Sequence, residues 1–97
     1  MLNNAQKSQL RKLANSLKPL GQIGKEGLSD NQLSFLDDAL ESHELIKIHL
    51  LKSCPITVNE VEIELIRQLQ CEPVQVIGRT LILYRPSKEN RKIRLVK

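Results

Sequence analysis

The segment that decides the fold is Leu20-Gly21-Gln22-Ile23-Gly24-Lys25-Glu26-Gly27-Leu28-Ser29-Asp30. It runs from a short apolar strand through a Gly-x-x-Gly turn into the start of a helix. Gly24 and Gly27 lack a Cβ, so the backbone can turn sharply and approach another backbone closely. Ser29 and Gln32 have capping-box spacing, which places the turn at a helix N-terminus, where partial positive charge attracts phosphate. Residues 24–27 therefore predict a turn suited to phosphate, with Lys25 as an added cation.

This glycine spacing differs from the better-known phosphate loops. A Walker loop needs four residues between its glycines and a Lys-Ser/Thr pair after the second, and a dinucleotide fingerprint needs three spaced glycines. A Gly-x-x-Gly tetrapeptide can also be only a tight connection. The turn therefore needs support from the rest of the chain.

Length and composition bound the class of protein. The 97 residues suffice for one hydrophobic core, so a single domain over residues 1–97 is expected. The sequence contains no apolar run of the length that a membrane span needs, and its polar N-terminus is unlike a secretory signal, so we expect a cytoplasmic protein without membrane association. Two cysteines, Cys54 and Cys71, without paired spacing give little support for a disulfide or metal site, and no cofactor or small-molecule substrate is expected.

Charge is sorted along the chain. Residues 1–25 carry a net charge of +5, residues 26–72 carry −7, and residues 73–97 carry +6. If the two basic ends meet in space, they form one directed surface that attracts polyanions. A solvated surface with chance segregation of charge is the alternative.

The first predicted helix spans Ala5 to Leu17 and ends before Pro19. Its apolar residues recur at helical spacing, at positions 10, 13, 14 and 17. Lys7, Arg11 and Lys18 fall within about 40 degrees of one another beside that stripe. They could border a groove or belong to an ordinary wet helix face.

Further periodic segments follow the glycine turn. They predict a helix over 30–42, a strand over 45–51, a helix from the Thr57 cap to about Gln70, and two strands over 74–77 and 81–84. The strand–helix–strand order implies a parallel crossover. Gly78-Arg79 suits a type II′ hairpin, which would pair Val76 with Leu81 and Val74 with Leu83 and leave Arg79 at the tip. The basic tail at 87–97 is expected to be flexible, with a short edge strand as the alternative.

These residues resemble a known family, the YhbY-type CRM domain, which is the single-domain bacterial form of the chloroplast RNA splicing and ribosome maturation module. The similarity spans nearly the whole chain and rests on four quoted stretches: Leu17-Lys18-Pro19-Leu20, Ile23-Gly24-Lys25-Glu26-Gly27-Leu28, Glu44-Leu45-Ile46-Lys47 and Val76-Ile77-Gly78-Arg79-Thr80-Leu81-Ile82-Leu83-Tyr84-Arg85-Pro86.

The resemblance implies a fold and a function. The fold is an α/β, compact two-layer domain with a four-stranded mixed sheet and three helices, similar to the C-terminal domain of translation initiation factor three. The function is binding to ribosomal RNA in precursors of the large ribosomal subunit. Carried over by position, the binding loop is Gly24, Lys25, Glu26 and Gly27, in which Glu26 departs from the polar or basic residue that would suit phosphate best.

Other functions have weaker support. No spacing among His43, His49, the cysteines and the acids favours catalysis, so a non-enzyme is expected. Duplex DNA binding lacks a basic helix with base-reading side chains. A protein–protein adaptor remains the alternative, because Ile77, Ile82 and Tyr84 on the second face of the hairpin could form an exposed apolar patch.

The expected RNA site combines the loop with flanking cations. One Tyr and one Phe are too few aromatic residues to stack successive bases, so recognition of backbone and shape is expected. The glycine turn would hold phosphates as a KH loop does. The predicted RNA-binding residues are Gly24, Lys25, Glu26, Gly27, Lys7, Arg11, Lys18, Arg79 and Arg85.

Overall fold

Three helices and four strands make up the computed structural model, which describes residues 2–97. In chain order they are α1 (Asn4–Ala14), β1 (Gly21–Ile23), α2 (Asp30–His43), β2 (Leu45–Leu50), α3 (Val58–Leu69), β3 (Glu72–Ile77) and β4 (Thr80–Tyr84). The predicted element order and mixed α/β class are confirmed. Within residues 2–97, no helix is long and apolar enough to cross a membrane.

The sheet has the strand order β1-β2-β4-β3. β1 pairs in parallel with β2, as the crossover predicts, while β4 runs antiparallel to both β2 and β3. β1 and β2 therefore finish at the same end of the sheet, and the β3–β4 hairpin turns at that end too. We call this the loop end, and we call the opposite end of the strands, at Leu45 and Tyr84, the tail end.

Helices cover both faces of the sheet. α2 and α3 pack on Ile46, Ile48, Leu81 and Leu83, whereas α1 packs on Leu45, Val74, Ile82 and Tyr84. The result is three layers rather than the two expected. The reason lies in the continuous apolar run of β4, which presents alternate residues to opposite faces.

α1 is shorter than predicted. It begins after the Asn3 cap and ends at Ala14, with Asn15 as its C-cap, so Pro19 is not what stops it. Leu10 and Ala14 are buried, but Leu13 is 43% exposed and Leu17 is 36% exposed. The chain leaves the helix early because it must cross to the edge strand β1, where Leu20 N–H donates to Lys47 O.

The hairpin register is correct near the turn and wrong beyond it. Val76 faces Leu81 as predicted, but the register shifts between Pro73 and Gln75, so that Pro73 rather than Val74 faces Leu83. This bulge turns Val74 to the α1 face, where it packs with Ile82 and Tyr84. A type II′ turn requires positive φ at its first central residue and negative φ at its second. Gly78, with φ +57°, and Arg79, whose φ is not positive, meet both requirements.

The basic tail is held by two carboxylates. Glu44, which caps α2 at φ +66°, is fully buried and accepts hydrogen bonds from the Ser87, Lys92 and Ile93 amides. Glu41 accepts from Ser87 Oγ and from the Lys88 and Glu89 amides. Over the described residues after Tyr84 the chain forms no strand. Flexibility of residues 87–97 and the single-domain boundary stay predictions.

Candidate functional site

Three connections meet at the loop end. They are the glycine turn between β1 and α2, residues 51–57 between β2 and α3, and the β3–β4 hairpin tip. Leu51 N–H donates to Ile23 O, and Leu50 N–H donates to Arg79 O at 2.8 Å, which fixes the first and third connections to the end of β2. Loops at the carboxyl ends of neighbouring parallel strands are a common place for ligand binding.

The glycine turn is closed by one backbone hydrogen bond, from Gly27 N–H to Gly24 O at 3.0 Å. Gly27 has φ +63°, so a side chain there would be strained, whereas Gly24 does not have positive φ. A Cβ on Gly24 would lie 3.4 Å from Leu51 Cδ1, an ordinary contact. The expectation that both glycines need unusual backbone freedom is therefore met only at Gly27.

The side chains between the glycines point outward. Lys25 and Glu26 are exposed, and Ser29 caps α2 by accepting from Gln32 N–H at 3.1 Å. A depression of about 390 Å³ lies between this turn and the loop after β2. The predicted loop residues therefore line one accessible hollow.

A second hollow of about 320 Å³ adjoins the first across Leu51. Lys52, Thr57 and Arg79 line it. Thr57 caps α3 in a capping box with Glu60, so a second helix N-terminus lies here. Lys52 was not among the predicted RNA-binding residues, although its position directly after the predicted β2 strand, level with the glycine turn, is a signal that could have identified it.

The predicted basic residues of α1 do not form one line. Lys7 and Arg11 lie one turn apart on the same flank of α1, on the sheet face opposite α2 and α3. Lys18 lies beyond the end of the helix, so the helical spacing that grouped it with them does not apply. It borders a separate depression with Lys47 and His43.

Arg85 lies at the tail end, at the other end of β4 from Arg79. Its Nη1 donates to Asp37 Oδ1 at 2.6 Å and to Leu69 O at 3.0 Å, and its Nη2 donates to Asp37 O at 2.9 Å. The side chain is only 14% exposed. The guanidinium thus joins α2 to α3, and Arg85 does not share a surface with Lys25 and Arg79.

The apolar patch that the adaptor alternative required is covered. Ile82 is 2% exposed and Tyr84 is 4% exposed, because α1 and the tail pack over them. Ile77 remains 54% exposed beside the hairpin turn. This second face of the hairpin therefore offers one apolar side chain rather than three.

Burial governs the titration of two groups in the core. It raises the pKa of the Cys71 thiol to about 11 and also raises the pKa of Tyr84. Among residues 2–97, no three His, Cys, Asp or Glu side chains are grouped so that they could hold a metal ion.

Two proteins with RNA-binding names are similar to this chain over almost their full length. Probable RNA-binding protein YqeI of Bacillus subtilis is 42% identical over 95 residues, which cover 98% of this chain and 99% of that protein. An RNA-binding protein of Haemophilus influenzae is 37% identical over 88 residues, covering 91% and 89% of the two chains.

A solved structure has the same fold. The solution structure of the hypothetical protein SAV1595 from Staphylococcus aureus matches with a TM-score of 0.71 and 42% identity, covering 99% of this chain and 100% of that one. The family model described as CRS1 / YhbY (CRM) domain matches residues 2–85. The chain therefore belongs to the CRS1/YhbY (CRM) domain family.

Proposed function

We propose that this chain is a non-catalytic RNA-binding protein of the cytoplasm, acting as a single domain, that associates with ribosomal RNA in precursors of the large ribosomal subunit. The observation that carries the proposal is the meeting of three connections at the loop end. There the glycine turn brings Lys25 beside the hollow that Lys52 and Arg79 share. No cofactor or small-molecule substrate takes part.

Electrostatics favour a polyanion at the loop end. α2 and α3 both begin there, so the positive ends of two helix dipoles lie beside the cations. Several acids of residues 26–72 have partners at the tail end instead. Glu41 and Glu44 accept hydrogen bonds from the tail, and Asp37 pairs with Arg85. Within residues 2–97, three acids remain at the loop end: Glu26 in the glycine turn, Asp30 in the first turn of α2 and Glu60 in the first turn of α3. We expect Glu26, which lies between the glycines, to weaken phosphate binding.

RNA is the polyanion that the relatives indicate, since the similar chains of Bacillus subtilis and Haemophilus influenzae carry RNA-binding names. The assignment to ribosomal RNA of the large subunit rests on the family resemblance alone. Lys7 and Arg11 extend the footprint on the other sheet face. Lys18 contacts RNA away from the loop end. Arg85 supports binding only by stabilising the fold, since its guanidinium joins α2 to α3.

The salt dependence of binding tests the proposal. Neutralising four to six phosphates should give a log–log slope of about −3 to −5. Lys25→Ala, Lys52→Ala and Arg79→Ala should each make that slope shallower by about one unit. Lys88→Ala is the matched control, because this exposed residue lies on the tail, away from the loop end. Its contact with Glu41 is made by the backbone N–H, which alanine keeps.

Two outcomes would contradict the proposal. One is binding whose salt slope is unaffected by all three loop-end substitutions in folded proteins. The other concerns the target: if crosslinking in cells followed by sequencing recovered RNA without enrichment of large-subunit ribosomal RNA, the assignment to ribosome precursors would fail while RNA binding stood.

A further inference from the structure

One row of side chains crosses the whole sheet on the α1 face and is left uncovered. Gln22 of β1 pairs with His49 of β2, His49 pairs with Thr80 of β4, and Thr80 pairs with Ile77 of β3. Paired residues share a face, so these four side chains form a strip about 14 Å long. Gln22 and Ile77 are exposed, and His49 and Thr80 are half-buried.

The strip is open because α1 lies nearer the tail end. The row at Leu45 and Tyr84 is buried beneath α1, and in the intervening row Ile82 is buried while Lys47 and Gln75 are partly exposed. The strip is thus the last row before the loops. It is continuous with the glycine turn through Gln22, which lines the hollow beside Gly24 and Lys25.

Cations border the strip on three sides. Lys25 follows the end of β1, and Arg79 lies in the turn between Ile77 and Thr80. Lys47 lies in the next row toward α1, with its Nζ donating to Leu17 O. The strip itself contains no acid.

The orientation of α1 adds two cations on the same side of the strip as Lys47. Gln9 binds the tail through Arg94 O and Val96 N–H, and the tail packs at the tail end of this face. Lys7 and Arg11 are each about 160 degrees around the helix from Gln9. Their flank therefore faces away from the tail and borders the uncovered rows of the same face.

We propose that this strip, which we call the base-contact row, binds the bases of a short single-stranded RNA segment whose phosphates are held by the bordering cations. The proposal rests on the proposed function and adds where bases are contacted. The Gln22 amide can donate to and accept from base edges, and Ile77 gives an apolar surface for a base plane. His49 Nδ1 lies 3.2 Å from Thr80 Oγ1, which fixes the ring and leaves Nε2 for RNA.

A duplex fits this surface poorly. In A-form RNA the bases are stacked and the major groove is too deep and narrow for side chains to read, so a flat row of short side chains cannot reach them. Unpaired bases can lie against the row directly. The row would thus give a chain with few aromatic residues a surface for base contact.

The test compares single-stranded oligo(A), oligo(C) and oligo(U) of about 12 nucleotides with an RNA duplex of the same length. Binding is measured for the wild type and for Gln22→Ala and His49→Ala at several salt concentrations. His43→Ala is the matched control for His49, since His43 is exposed at the end of α2 nearer the tail. Thermal unfolding verifies that each variant is folded, and exposed Gln22 keeps the test valid if His49→Ala unfolds.

We expect the wild type to prefer a single strand over the duplex and to distinguish among the three oligonucleotides. Gln22→Ala and His49→Ala should weaken the preferred oligonucleotide about threefold to tenfold, reduce the discrimination, and leave the salt slope unchanged. His43→Ala should behave as wild type. If both variants bind as wild type while Lys25→Ala weakens binding, or if the duplex binds as well as the single strands, the base-contact row is refuted and the proposed function survives. Absence of any RNA binding would refute both.

Discussion

The buried carboxylate of Glu44 should be a main source of stability at the tail end. Glu44→Gln is the sharpest perturbation, because Gln keeps the size of the side chain and should meet the same backbone strain at φ +66°. One oxygen of Glu44 accepts from Lys92 N–H at 2.6 Å and Ile93 N–H at 2.9 Å, and the other accepts from Ser87 N–H at 2.8 Å. The amide of Gln can replace only one of these oxygens.

The magnitude follows from the lost acceptor. The amide nitrogen would face a buried donor, and hydrogen bonds to a charged group contribute about 1.5 to 3 kcal/mol each. We therefore expect Glu44→Gln to lower the free energy of unfolding by about 2 to 3 kcal/mol at pH 7, which is about 10 °C or more in Tm for a domain of this size. Urea unfolding followed by circular dichroism measures it, with exposed Glu89→Gln as the control.

The effect should depend on pH. Burial by itself raises the pKa of Glu44, but the three amide donors outweigh it, so the pKa lies below the ordinary value of 4.5. A lowered pKa in the folded state means that the stabilisation is present above the ordinary pKa and is lost as the pH falls through the folded pKa. The gap between wild type and Glu44→Gln should therefore narrow in acid. A gap that stays constant with pH, or no loss of stability at pH 7, would refute this role.

Three further predictions concern other residues. Gly27→Ala should lower stability by about 1 kcal/mol through its positive φ, whereas Gly24→Ala should be nearly neutral in urea unfolding; equal effects would contradict the turn geometry. Cys71, whose pKa is raised to about 11, should react with a thiol reagent at pH 8 far more slowly than half-buried Cys54, and faster labelling of Cys71 in folded protein would count against its burial. Arg85→Ala should lower stability by about 2 kcal/mol yet leave the salt slope of RNA binding unchanged, and a shallower slope would place Arg85 on the RNA after all.

Periodicity predicted the elements of this fold because local patterns encode them. The Thr57 capping box, the alternation around Lys47 and the Gly78-Arg79 turn each depend on a few neighbouring residues. The bulge at Val74 does not, since an extra residue in one strand is decided by what packs on each face. Whether helices cover one face of the sheet or both depends on the same packing between residues distant in sequence.

The exposure of the candidate residues was predictable where the local backbone decides it and less so where side chains have competing partners. Arg79 at a hairpin tip and Lys25 in a glycine turn stay exposed in any fold with those loops. Arg85 looked equivalent in sequence, but its partner Asp37 is 48 residues away. No local pattern marks Glu44 as buried, because it is the return of the tail that makes it the acceptor of three amides.

The position of β4 in the sheet has a consequence for synthesis of the chain. β4 is the last strand in sequence, yet it lies between β2 and β3 and contributes alternate residues to the cores on both faces. While residues 80–84 are still inside the ribosome, β2 has only the three-residue β1 as a neighbour and neither core can close. Translation runs from the N-terminus at about 5–20 residues per second, so the emerging chain stays incompletely folded until residues 80–84 have left the ribosome. Folding of this protein should therefore be a late, all-or-none event that follows the exit of Tyr84 from the ribosomal tunnel.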